Sequence, residues 1–182
     1  MVITETPEIK IELSLTSDTY RRSAPDLTEL VVTTTISNAD VLTVENRGEK
    51  DNGTILENGF RVEHFKFQDL TTGEEVIDND PFPGTCDPGD ALATYNVVEL
   101  GSTNPLVVRQ CLDDISPLSD PVRQLKNGHE YRVTLKPQTV WAFPGSTKEL
   151  FGDERYIPTE DLPRGIMLRL ESSDELKLKV EA

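Results

Sequence analysis

His64 and His129 are the side chains best suited to act as bases at neutral pH, so proton-transfer chemistry in this chain would have to run through them. They fall on different predicted strands, and no nucleophile motif stands beside either one. Gly-x-Ser-x-Gly, His-Glu-x-x-His and a phosphate-cradling glycine loop are missing from the sequence. Nothing here supports an enzyme, and no cofactor is implied.

Oxygen ligands are more plentiful. Asp78, Asp80, Asp87 and Asp90 share one loop rich in proline and glycine, and calcium takes several oxygens converging from a flexible segment. They make an alternative metal site, although their spacing is not that of an EF-hand. Solvation of an ordinary loop accounts for the same residues, so the main reading assigns no metal. Cys86 and Cys111 are too few and too isolated for a disulfide framework or a closed zinc site, and two reduced thiols are expected.

The third kind of chemistry is recognition. Trp141, Phe143 and Phe151 flank Pro144-Gly145-Ser146, and Phe82 is the large apolar side chain of the Asp78–Ala91 loop. Large aromatics anchor protein interfaces, which makes these four the candidate partner-binding residues. The competing reading buries Trp141 as a plug between sheets.

Composition narrows the partners. Thirty-three acidic against eighteen basic side chains give a formal charge of −15, which repels phosphate backbones and anionic lipid surfaces. Neither nucleic acid nor membrane is an expected partner; a protein is. The stretch from Met1 to Glu8 has neither the positive start nor the apolar run of a secretory signal, so a cytoplasmic protein is expected.

The elements that must position these residues are strands. Ile9, Ile11, Leu13 and Leu15 alternate with polar residues over Glu8 to Leu15, and Glu29 to Ser37 is dense in β-branched side chains, as a central strand requires. Ser37 to Asp40 is a turn and Val41 to Glu45 the next strand. Arg47 to Asn58, charged and rich in glycine, is expected to be a solvated loop. The parity of Phe60 and Val62 differs from that of Phe65 and Phe67, which predicts a β-bulge near Glu63 and His64. Further strands are expected at Glu75 to Ile77, Thr94 to Leu100, Leu106 to Leu112 and Gln138 to Phe143, with one helical turn at Thr147 to Phe151. Leu125 and Gly128 precede Tyr131 at the spacing of a tyrosine corner, whose hydroxyl bonds to backbone a few residues upstream. Ile166 to Leu170 and Leu176 to Val180 read as a last hairpin turning at Ser172-Ser173-Asp174.

The segment from Leu30 to Val76, with its Ser37-Asn38-Ala39 turn and its Asp69-Leu70-Thr71-Thr72-Gly73 turn, resembles the immunoglobulin-like intracellular proteinase inhibitors of bacteria. It also resembles related fungal domains, some of which accompany metallopeptidases of the deuterolysin type. Leu125-x-x-Gly128-x-x-Tyr131-x-Val133-x-Leu135 extends the similarity to about half the chain. The resemblance implies a fold and a peptidase partner; no reactive-site motif matches, so no inhibitory residue is carried over. The reading is one domain over 1–182, an immunoglobulin-like antiparallel β-sandwich with an added C-terminal hairpin. It would act as a non-catalytic module that binds a protein, in its sharpest form a peptidase. The alternatives are a calcium-dependent or enzymatic sandwich using the 78–91 loop, and a structural domain that self-associates through its edge strands.

Overall fold

The computed structural model describes residues 5–24, 28–46, 54–56, 64–77, 91–112 and 121–182. The first alternating run forms β1 (Glu8–Leu15), β2 (Thr19–Arg21) follows, and the β-branched run makes β3 (Glu29–Ser37). Asn38, at a φ of 61° that its short polar side chain tolerates, turns the chain into β4 (Val41–Glu45). Next come β5 (Phe65–Asp69), β6 (Glu75–Val76), β7 (Ala91–Ala93), β8 (Val97–Gly101) and β9 (Leu106–Cys111). A short helix, α1 (Pro121–Gln124), precedes β10 (Glu130–Leu135) and β11 (Gln138–Pro144); α2 (Thr147–Phe151) precedes β12 (Tyr156–Pro158), β13 (Ile166–Leu170) and β14 (Leu176–Glu181).

These strands build three sheets, in the orders β1-β3-β9, β2-β14-β10-β5-β6 and β13-β11-β4-β8, with a small β12-β7 pair besides. Pairing is antiparallel except between β14 and β2. The expected central strand, β3, does lie between β1 and β9. Inward-facing residues of all three sheets, among them Ile11, Val32, Phe67, Val133, Leu170 and Leu178, meet in one apolar cluster. The fold is therefore an all-β sandwich. Among the described residues no helix is long and apolar enough to cross a membrane.

Three expectations need correction. The last two strands form where alternation put them, yet they are not a hairpin: β13 pairs with β11 and β14 with β10. Residues 171–175 arch from one sheet to another, so that Leu168 and Leu170 are buried from one side and Leu178 and Val180 from another. The strand expected from Thr94 begins only at Val97, because a 3-10 turn at Thr94–Asn96 passes the chain from the β12-β7 pair to β4. Thr54, Ile55 and Leu56, read as part of a solvated loop, are fully buried; Ile55 and Leu56 join the main core and the Thr54 hydroxyl bonds to Asn46 Oδ1. Two apolar side chains inside a charged stretch outweighed its average composition. The bulge expected at Glu63 lies outside the described residues.

The tyrosine corner is present. Tyr131 is buried, and its hydroxyl accepts a bond of 2.8 Å from the Lys126 backbone N–H. Burial pushes the phenol pKa up, with the Lys126 bond opposing it. Gly128, at a φ of 81°, makes the turn into β10 and donates to Val180 O at 2.8 Å, so the corner also fixes β14. Tyr131→Phe removes an acceptor and leaves the ring packed. The expected loss is about 1 kcal/mol in urea unfolding with the denaturant slope unchanged. A midpoint equal to wild type would refute the contribution of the hydroxyl.

Candidate functional site

Alternation along β11 assigns Val140 and Ala142 to the main core and sends Trp141 and Phe143 to the opposite face of their sheet. Their fates on that face differ. A second layer made of α2, β12 and the 3-10 turn Thr159–Asp161 folds over one end, and Phe143 and Phe151, each 4% exposed, pack beneath it with Leu92, Leu150 and Leu162. Trp141 lies where this cover stops and is 46% exposed. Of the proposed partner-binding aromatics, then, Trp141 is at the surface while Phe143 and Phe151 are interior. The alternative that buried Trp141 between sheets is overturned, because β11 spends its inward positions on Val140 and Ala142. Phe82 lies outside the described residues.

Trp141 pairs across the sheet with Met167 of β13, which is 59% exposed. Together with Thr139 they line one side of a groove of about 580 Å³, and Leu162, Pro163 and Gly165 line the other. Gly165 is what lets the chain lie against the rings, since a Cβ there would stand 3.0 Å from Phe143 Cε1 and 3.1 Å from Trp141 Cε3. The sequence reading missed Met167 and Gly165. Their signal, an apolar residue on a polar face and a glycine in the Leu162-Pro163-Arg164-Gly165 entry to a strand, acquires meaning only once the register of β11 and β13 is known.

The cover is pinned by polar bonds. Ser146 and Glu149 form a reciprocal capping box at the start of α2, with Ser146 N donating to Glu149 Oε2 at 2.7 Å and Glu149 N to Ser146 Oγ at 3.2 Å. The Ser146 N–H and the Ser146 hydroxyl, which donates to Glu149 Oε2 at 2.9 Å, hold the Glu149 carboxyl below its ordinary pKa. Glu99 of β8 accepts from Thr147 N at 2.7 Å, and the Thr43 hydroxyl donates to Gly145 O at 2.9 Å. The groove wall thus rests on the sheet through its own hydrogen bonds.

The histidines do not converge. His64 stands just before β5 and is buried, whereas His129 meets the far end of the same strand, where its Nδ1 lies 2.7 Å from Asp69 Oδ2. Asp69 is 2% exposed, and its Oδ1 also accepts from Thr71 N at 2.8 Å and Thr72 N at 3.2 Å. Burial alone would raise the Asp69 pKa, but the bonds from His129, Thr71 and Thr72 outweigh it and hold the carboxyl at about 2. An aspartate orienting a histidine is two-thirds of a catalytic triad, yet no serine, threonine or cysteine side chain among the described residues bonds to His129. The pair instead ties the β5–β6 hairpin to the start of β10. Cys111 is half-buried at the end of β9, and Cys86, Asp78, Asp80, Asp87 and Asp90 lie outside the described residues.

No known family profile, curated protein or solved structure matches this chain.

Proposed function

We propose that the chain is a non-catalytic protein-binding module that takes an apolar side chain of its partner into the Trp141 groove. A peptidase is the partner favoured by the sequence resemblance, and the tyrosine corner supports the immunoglobulin-like frame that resemblance implies. The carrying observation is that Trp141 and Met167 extend an apolar layer beyond its cover, side by side and exposed. A rigid tryptophan on a strand loses little entropy when a partner covers it, which is why such residues concentrate binding energy. Phe82, in the proline-rich sequence from 78 to 91, is a second anchor in this reading.

Trp141 is the chain's single tryptophan, so tryptophan emission, excited selectively over the tyrosines, reports on the groove alone. A partner captured from the source cell's lysate should, when titrated back, shift Trp141 emission to the blue and shield it from acrylamide. Trp141→Ala should weaken that complex at least about tenfold, roughly 1.4 kcal/mol, with unchanged thermal unfolding. A complex that forms with Trp141 emission unmoved and affinity unaltered by the substitution would place recognition elsewhere. Inhibition assays against one purified peptidase of each catalytic class test the sharper version, which fails if every class is unaffected.

A further inference from the structure

β1 ends its sheet, and at this edge a cleft of about 800 Å³ runs along residues 8–13, bordered by Thr35, Ile36 and Ser37 at the end of β3 and closed opposite by residues 171–174 of the β13–β14 arch. The Leu13 N–H does not serve the β1–β3 ladder; it points into this cleft and donates to Asp174 Oδ2 at 2.8 Å. Peptide groups of a strand alternate in direction, so the N–H and C=O groups of Ile9 and Ile11 point the same way as that of Leu13. The N–H and C=O groups of Lys10 and Glu12 alternate with these and point to β3. Asp174 therefore occupies one rung of a ladder position, where a neighbouring strand's carbonyl would sit, and among the described residues nothing is bonded to the rungs at Ile9 and Ile11.

The rim chooses between occupants. Glu8, Glu12, Glu171 and Asp174 face one cation, Lys10, whose Nζ is held 2.6 Å from Glu12. A second copy of this edge would bring the same carboxylates against themselves, in a chain whose net charge is already −15. We propose that the β1 edge is a strand-addition site for an extended basic peptide, which pairs with the main chain at Ile9 and Ile11 and sets its lysine or arginine side chains against the acidic rim. Six residues of strand offer roughly 20 Å, room for a segment of about five residues. This surface is separate from the Trp141 groove, and the inference does not depend on that reading.

The probe is a capped Lys-Val-Lys-Val-Lys peptide, with Glu-Val-Glu-Val-Glu as its counterpart, titrated into the full chain labelled with nitrogen-15. The lysine peptide should bind at least tenfold more tightly. It should slow amide exchange at Ile9 and Ile11 at least tenfold and leave Lys10 and Glu12, already bonded to β3, unchanged. Ile9→Pro removes a donor that β3 does not use and should cut affinity about tenfold, a substitution edge strands tolerate. Glu171→Gln, which leaves every backbone group in place, should also weaken the lysine peptide. Absence of binding, or binding without protection at Ile9 and Ile11, overturns the proposal. Protection of those two amides that rises with protein concentration and no peptide assigns the edge to a second copy and also overturns it.

Discussion

Replacing Asp69 by alanine is expected to lower the free energy of unfolding by about 3 to 5 kcal/mol, because its buried carboxylate takes part in three hydrogen bonds at roughly 1.5 kcal/mol each. The substitution strips the acceptor from Thr71 N, Thr72 N and His129 at once. The backbone of the same residue closes the turn, with Gly73 N donating to Asp69 O and Asp69 N to Glu74 O, each at 2.8 Å, so the loosened hairpin has little else to hold it. His129→Ala should cost less, about 1 kcal/mol, because the imidazole is partly exposed and water can take its place. Acid should reveal the same group. The folded pKa of about 2 lies below the unfolded value of ~3.9, so the stabilisation is complete above about pH 4 and is lost as pH falls through the folded value. Chemical unfolding between pH 5 and pH 2 should therefore converge for wild type and Asp69→Asn. Parallel curves across that window would show that Asp69 is not the depressed group.

What the sequence made legible divides along physical lines. Local pattern placed β1, β3 and β4 at their observed bounds: alternation for β1, which writes its inward face into every second residue, a dense run of β-branched residues for β3, and the Ser37–Asp40 turn that precedes β4. The tyrosine corner was equally readable, being a contact between residues five apart. Partners were not: nothing in Ile166–Leu170 or Leu176–Glu181 says that one joins β11 and the other β10, since a short polar connection suits an arch as well as a hairpin. The groove shares that limit. Trp141 and Phe143 have the same parity and similar chemistry, and only the reach of a cover formed by residues 146–162 makes one a surface and the other a support. The helical turn in that cover was signalled at Thr147, and its Ser146-x-x-Glu149 capping box was there in the sequence to strengthen it.

Phe151→Ala separates support from contact. The side chain is buried in the small cluster with Phe143 and Leu92, and its truncation should cost about 3 kcal/mol, the low end of the range for deleting a buried ring because a thin layer can partly collapse. α2 has five residues, too few to persist without tertiary packing, so this loss should fall first on the cover. Amide exchange should quicken through residues 147–162 while the β10 and β5 amides, backed by the separate main core, keep their protection. Trp141 should then gain solvent on the side where Gly165 now touches it, and its emission should move to the red. Partner affinity should fall with it, although Phe151 itself touches no partner, and Phe151→Leu should restore most of both by refilling the layer. If exchange in the cover quickens while Trp141 emission and partner affinity stay at wild-type values, the cover does not shape the groove, and recognition by Trp141 would have to rest on the sheet face alone.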